Sequence, residues 1–135
     1  METKFVTERD IQEETNKTLT ERDIQSVLIN LGTPTNLLGF TYLTKALMLV
    51  HKNPEYKHQI TKKLYPEVAE MTNTLPHRAE RAIRHAIEAT WARGDSELLT
   101  RMFGKARPSH KDKPTNAEFI TTLVLRLEHE LEVSV

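Results

Sequence analysis

Apolar side chains recur at three- and four-residue spacings along nearly the whole chain, and no stretch shows sustained two-residue alternation of β-branched residues. That period belongs to amphipathic helices, so no sheet of consequence is expected. The fold class is therefore all-α, with six or seven helices. At 135 residues the chain fits one domain. A chain of this length can bury roughly two-thirds of its unfolded surface, enough for a core.

Start and stop signals divide the pattern. Thr20-Glu21-Arg22-Asp23 has the form of a capping box with Asp as its acid; Ile24, Val27, Leu28 and Leu31 follow on one face, and Gly32 stands where the helix should end. After Pro34, a stripe of Leu37, Leu38, Phe40, Leu43, Ala46, Leu47 and Val50 runs to Asn53-Pro54. Ile60 and Leu64 mark a short third helix, which Tyr65-Pro66 should interrupt, with Pro66 opening a new helix that carries Val68, Ala69 and Met71. Thr72-Asn73-Thr74 reads as a turn. A long helix spans about 76–92 before Gly94, a short one spans Ser96–Phe103, and Ala106–Pro114 reads as a loop. The last helix, Asn116–Leu131, turns Phe119, Ile120, Leu123, Leu127 and Leu131 inward. Leu47, Met48, Met71 and Trp91 read as core. Thr-Glu-Arg-Asp-Ile-Gln occurs at 7–12 and again at 20–25, too short an echo for a solenoid array. Residues 1–19 are expected to be an extension, either a short helix or disordered, and 20–135 the helical domain.

Several functions drop out on composition. With no cysteine there are no disulfides, thiolate metal sites or cysteine nucleophiles. The longest apolar run, Ala46–Val50, cannot span a bilayer, and the first residues lack the apolar stretch of a signal peptide, so a cytoplasmic location with no membrane partner is expected. His77 and His85 lie more than two helical turns apart, and His51 and His58 straddle Pro54; no metal site is expected. No H-E-x-x-H, Walker-type loop or G-x-S-x-G occurs, so neither an enzyme nor a cofactor is expected.

Net charge is zero, yet its distribution is uneven. Residues 73–113 carry nine basic and five acidic side chains, whereas 114–135 carry one and four, and 1–22 carry four and six. Local potential, not the total, governs an encounter with a polyanion.

Within the basic middle, a short helix (66–71), a polar turn and a longer helix (76–92) have helix-turn-helix proportions. At 100° per residue, Ala79, Ile83, Ala86, Ile87, Thr90 and Trp91 share one arc. Arg78, Arg81, His85 and Glu88 point away from it, with His77 and Arg84 flanking. Such a face suits major-groove reading, since Arg donates bidentately to guanine O6 and N7. It equally suits a solvated surface laced by the pairs Glu80–Arg84 and Arg84–Glu88, both correctly spaced. Spacing leaves the two readings open.

The residues themselves carry a resemblance. Arg78-Ala79-Glu80-Arg81-Ala82-Ile83-Arg84-His85-Ala86-Ile87-Glu88, followed by Trp91-Ala92-Arg93-Gly94, closely resembles the recognition-helix region of the master response regulator family of sporulation initiation (stage zero) in endospore-forming bacteria. Leu31-Gly32-Thr33-Pro34, Gly39-Phe40-Thr41-Tyr42-Leu43, Ile60-Thr61-Lys62-Lys63-Leu64-Tyr65-Pro66 and Lys113-Pro114-Thr115-Asn116-Ala117-Glu118-Phe119-Ile120 extend the match. Roughly residues 22–131 are similar to that family's C-terminal effector domain.

The resemblance implies an all-helical domain that binds double-stranded DNA at a short operator box, near TGTCGAA, as tandem copies, and that touches the sigma subunit of RNA polymerase. Arg78, Glu80 and Arg81 match the base-reading segment, and Arg84 and His85 match positions near the backbone. His77 stands where the family usually has Ser, and Pro76 where it has a small residue. With His77 and Glu88 these residues are the candidate DNA-binding set; Lys62, Lys105 and Lys113 are candidate phosphate contacts. Arg93, Glu97 and Phe103 are candidates for the polymerase contact. The residues before the effector region are too few for the family's receiver domain, so the chain is expected to act without its own phosphoacceptor. A sequence-specific regulator is the first reading. An interaction protein that binds the sigma subunit or the full-length regulator, or that occupies operator boxes without activating, is the alternative.

Overall fold

The computed structural model describes residues 19–104 and 113–134. Among them are six α-helices and no strand: α1 (Glu21–Leu31), α2 (Leu38–Lys52), α3 (Tyr65–Met71), α4 (Pro76–Arg93), α5 (Ser96–Phe103) and α6 (Asn116–Ser134). A 3-10 turn (Pro54–His58) and a π turn (Ile60–Leu64) join α2 to α3. The echo at 7–12, the loop segment 106–112, Lys105 and the side chain of Leu131 lie outside the described residues.

The first helix begins and ends as its residues dictate. Thr20 Oγ1 accepts from the Asp23 amide at 3.1 Å, and Asp23 Oδ2 accepts from the Thr20 amide at 3.0 Å, so Asp closes the box as Glu would. At the other end Gly32 takes φ +104°, and the Thr33 amide returns to the Leu28 carbonyl at 2.9 Å. A side chain there would be strained, and its Cβ would also meet the Gly94 Cα at 2.5 Å. The absent side chain lets the end of α1 dock on the end of α4, where the Asp95 amide donates to the Leu31 carbonyl at 3.2 Å.

Helix α2 is the central element and packs on α1, α4 and α6. Leu43, Ala46, Leu47 and Val50 are buried, but Leu38, expected inward, is 68% exposed because it opens the helix beyond the reach of the body. Gly39 is the point of closest approach to α4: a Cβ there would collide with the Ala82 carbonyl oxygen and with Ala86. Small residues on both helices therefore bring α4 in close.

One expectation fails at Pro66. The third and fourth helical segments are not separated; the chain winds without a break from Ile60 to Met71. Proline ends an α-helix by clashing with the carbonyl four residues back and by lacking an N–H. Here the preceding turn is widened instead: Leu64 and Tyr65 donate to the carbonyls of Gln59 and Ile60, five residues back. The wider turn admits the ring at the first turn of α3. Met71, expected in the core, is 50% exposed at the last residue of α3, beyond the body.

The core is one cluster centred on Leu28, Leu43, Leu47, Leu64, Ile83, Ile87, Phe119, Ile120 and Leu123, with Leu19 also buried. Trp91 packs edge-on against Phe103 and Phe119, with centroids 5.2 and 6.3 Å away; those two rings stack at 5.0 Å. This aromatic group joins α4, α5 and α6.

Candidate nucleic-acid interface

Helices α3 and α4 form the two arms of a helix-turn-helix, and the turn is set by local chemistry. Asn73 adopts φ +59°, the left-handed conformation that Asn tolerates better than most residues. The Thr74 amide then reaches back to the Ala69 carbonyl at 2.9 Å, and Thr72 Oγ1 donates to the Val68 carbonyl at 2.7 Å. These bonds satisfy the C-terminal carbonyls of α3 and turn the chain sharply. Leu75 follows in extended conformation, and Pro76 starts α4, where its missing N–H costs nothing.

Helix α4 separates its two faces as the periodicity requires. Ala79, Ile83, Ala86, Ile87, Thr90 and Trp91 are buried; His77, Arg78, Arg81, Arg84, His85 and Glu88 are exposed. Glu80 lies half-buried on the flank. Its carboxylate pairs with Arg84, and that bond raises the guanidinium's affinity for its proton further. Of the two pairs that the spacing allows, the described residues form Glu80–Arg84 and not Arg84–Glu88. Arg78 and Arg81 make no ion pair among the described residues. The first three turns of α4 thus present two unengaged guanidiniums outward, two imidazoles, and a third guanidinium tied along the helix. Such donors can meet guanine edges and phosphates.

A groove of about 810 Å³ runs beside this face. His77, Glu80, Arg84 and Glu88 line it from α4, Ile60 and Tyr65 from the π turn and α3, Lys113 and Thr115 from the segment before α6, and Asn116 from its first residue. Lys113 is exposed and lies on the groove, while Lys62 is exposed on the π turn. The structure therefore gathers the base-reading candidates, His77 and Lys113 on one side of the molecule.

The polymerase candidates lie elsewhere. Arg93 closes α4, about 22 Å along the axis from Arg78 at 1.5 Å per residue, and Glu97 opens α5. Both are exposed, whereas Phe103 is partly buried with its ring in the aromatic group.

Sequence reasoning missed Asn116. Its pattern marks only a helix start, yet its side-chain amide donates to Tyr65 Oη and to the Glu80 carbonyl, both at 3.0 Å. No spacing rule joins residues 51 and 36 positions apart. Leu75, 51% exposed beside Pro76, is a second unread feature of this corner.

The chain matches the family described as sporulation initiation factor Spo0A C terminal over residues 24–127.

Proposed function

The chain belongs to the Spo0A C-terminal family, a DNA-binding effector domain of sporulation initiation, and on that premise we propose that it reads a short operator box near TGTCGAA through the major groove. The observation that carries this reading is the outward face of α4, where Arg78 and Arg81 stand exposed and unpaired on a helix whose opposite face is buried. Arg78 and Arg81 take guanine O6 and N7, and Glu80 accepts from a cytosine amino group where the helix tilt brings it close enough. Arg84, His85, His77, Lys62 and Lys113 meet the phosphates and set register without reading sequence. Because the reading face is built from the effector residues themselves, DNA binding needs no phosphoryl transfer.

One recognition helix spans too few base pairs for useful discrimination in a genome, so two copies fill adjacent boxes. Arg93, at the far end of α4, and Glu97, in the first turn of α5, remain free on such a complex to meet the polymerase sigma subunit.

Fluorescence anisotropy on a labelled operator duplex and a scrambled one, across a salt series, tests the reading. Preference for the operator at every salt concentration, with affinity falling linearly on logarithmic axes, is expected. Equal affinity for both duplexes would sink it and favour a protein-binding role instead.

A further inference from the structure

Helix α6 has its own cap, independent of Asn116. Thr115 Oγ1 accepts from the Glu118 amide at 3.1 Å, and Glu118 Oε1 accepts from the Thr115 amide at 2.9 Å, a closed capping box. The Asn116 side chain is therefore not needed to start its own helix. It is 9% exposed and points the other way, giving one hydrogen bond to the scaffold helix at Tyr65 and one to the recognition helix at Glu80.

The second of these bonds is placed at the reading end. Glu80 lies between Arg78 and Arg81, and its carboxylate also engages Arg84. Helix α4 has no side-chain cap at Leu75. Its other side-chain tie to the body, Thr90 to Thr33, lies ten residues further along. Among the described residues, Asn116 makes the one side-chain hydrogen bond from the body to the first half of α4. What otherwise holds that half is contact through Ala79, Ala82 and Ile83, against Gly39 in part. Dispersion contact of this kind is non-directional atom by atom, whereas a hydrogen bond has a steep angular preference.

We propose that Asn116 is a positioning residue for DNA reading: by gripping Tyr65 and the Glu80 carbonyl together, it sets the roll of the recognition helix against its scaffold. This rests on the DNA-reading function proposed above. At about 5–6 Å from the helix axis, a roll of about 10° carries a guanidinium roughly 1 Å sideways. A bidentate pair to O6 and N7 does not survive such a shift, while a phosphate contact does, because a flexible cationic arm meets it from many angles. Loss of the grip therefore weakens discrimination, not general affinity.

The test uses the full chain and four proteins: wild type, Asn116→Ala, Tyr65→Phe and the double variant. Each is titrated onto the operator and scrambled duplexes at one salt concentration, with dimethyl sulfate protection of guanine N7 as a second readout and urea unfolding as a check of fold. Asn116→Ala should lose about tenfold on the operator, stay within about twofold on the scrambled duplex, and lose guanine protection. Tyr65→Phe keeps the ring and its packing, so it remains informative if Asn116→Ala fails to fold. It should lose about threefold on the operator alone, and nothing further in the Asn116→Ala background. Equal losses on both duplexes, or unchanged discrimination in a folded variant, would show that Asn116 only stabilises the fold and overturn the proposal. Failure of the underlying function is distinguishable, because the wild type would then already show no preference.

Discussion

The hydroxyls of Thr33 and Thr90 meet at 2.7 Å in the interior, joining the link after α1 to the recognition helix across 57 positions of sequence. Thr90 also donates to the Ala86 carbonyl at 2.8 Å, so Thr33 supplies the proton between the two hydroxyls. The pair is consequently unequal. Thr33→Val removes a donor and leaves Thr90 satisfied, at a cost of about 0.5–1.5 kcal/mol. Thr90→Val strands the buried Thr33 hydroxyl and should cost about 1–3 kcal/mol. In urea unfolding, Thr90→Val should be the less stable, and the double variant should cost less than the sum of the singles. Equal single costs would contradict this donor direction.

Trp91 is the only tryptophan and reports directly on the aromatic group that joins three helices. Trp91→Ala removes a buried indole packed edge-on against the stacked Phe103 and Phe119 rings and should cost about 3–5 kcal/mol, a large share of a small domain's stability. Wild-type emission should be blue-shifted and shift red cooperatively in urea. An emission maximum of a fully hydrated indole in the native protein would contradict the assigned phase of α4, and the DNA-facing surface with it.

Arg81 and Arg84 sit one turn apart and should fail differently. Arg81 is exposed and unpaired, so Arg81→Ala should lose about 1–3 kcal/mol on the operator and far less on scrambled DNA. Arg84 is held by Glu80 and assigned to a phosphate. Arg84→Ala should weaken both duplexes alike and lower the slope of log affinity against log salt by about 0.9. Anisotropy titrations at several salt concentrations separate the two; matching behaviour would place both residues in one role.

Burial pushes the Tyr65 phenol above its usual value of 10.0, with the Asn116 hydrogen bond only partly offsetting it. The folded state therefore holds the proton more tightly than the unfolded chain. Its stabilising effect is complete below pH 10 and is lost as the pH climbs from there through the folded value. Urea midpoints taken across that alkaline range should fall in the wild type, and the fall should be shallower in Tyr65→Phe. Parallel curves for the two proteins would remove Tyr65 from the alkaline transition.

The two faces of α4 were legible because burial there follows the helical period: Ala79, Ile83, Ala86 and Ile87 are in, Arg78 and Arg81 out. Caps were legible for the same local reason, as at Thr20–Asp23. What lay beyond reach depended on neighbours distant in sequence. Leu38 and Met71 are as apolar as any core residue, and only the extent of the packed body leaves them outside. Of the two charge pairs that spacing allowed, rotamers on the folded helix chose Glu80–Arg84. Asn116 reads as a helix start until the fold sets it against Tyr65 and Glu80.

The π turn before Pro66 has a consequence for inheritance. A π turn holds one residue more than the α-helical winding of the same length, and here that surplus is what gives the proline ring its room. Residue count and proline are thus bound as one character. Deleting a single residue from 61–63 restores ordinary winding and drives the ring into the carbonyl four back; replacing Pro66 alone leaves a bulge with no occupant. Only the paired change returns a regular helix. Variation at this corner of the family should therefore move in steps of two, the shorter form carrying some other residue where this chain has Pro66.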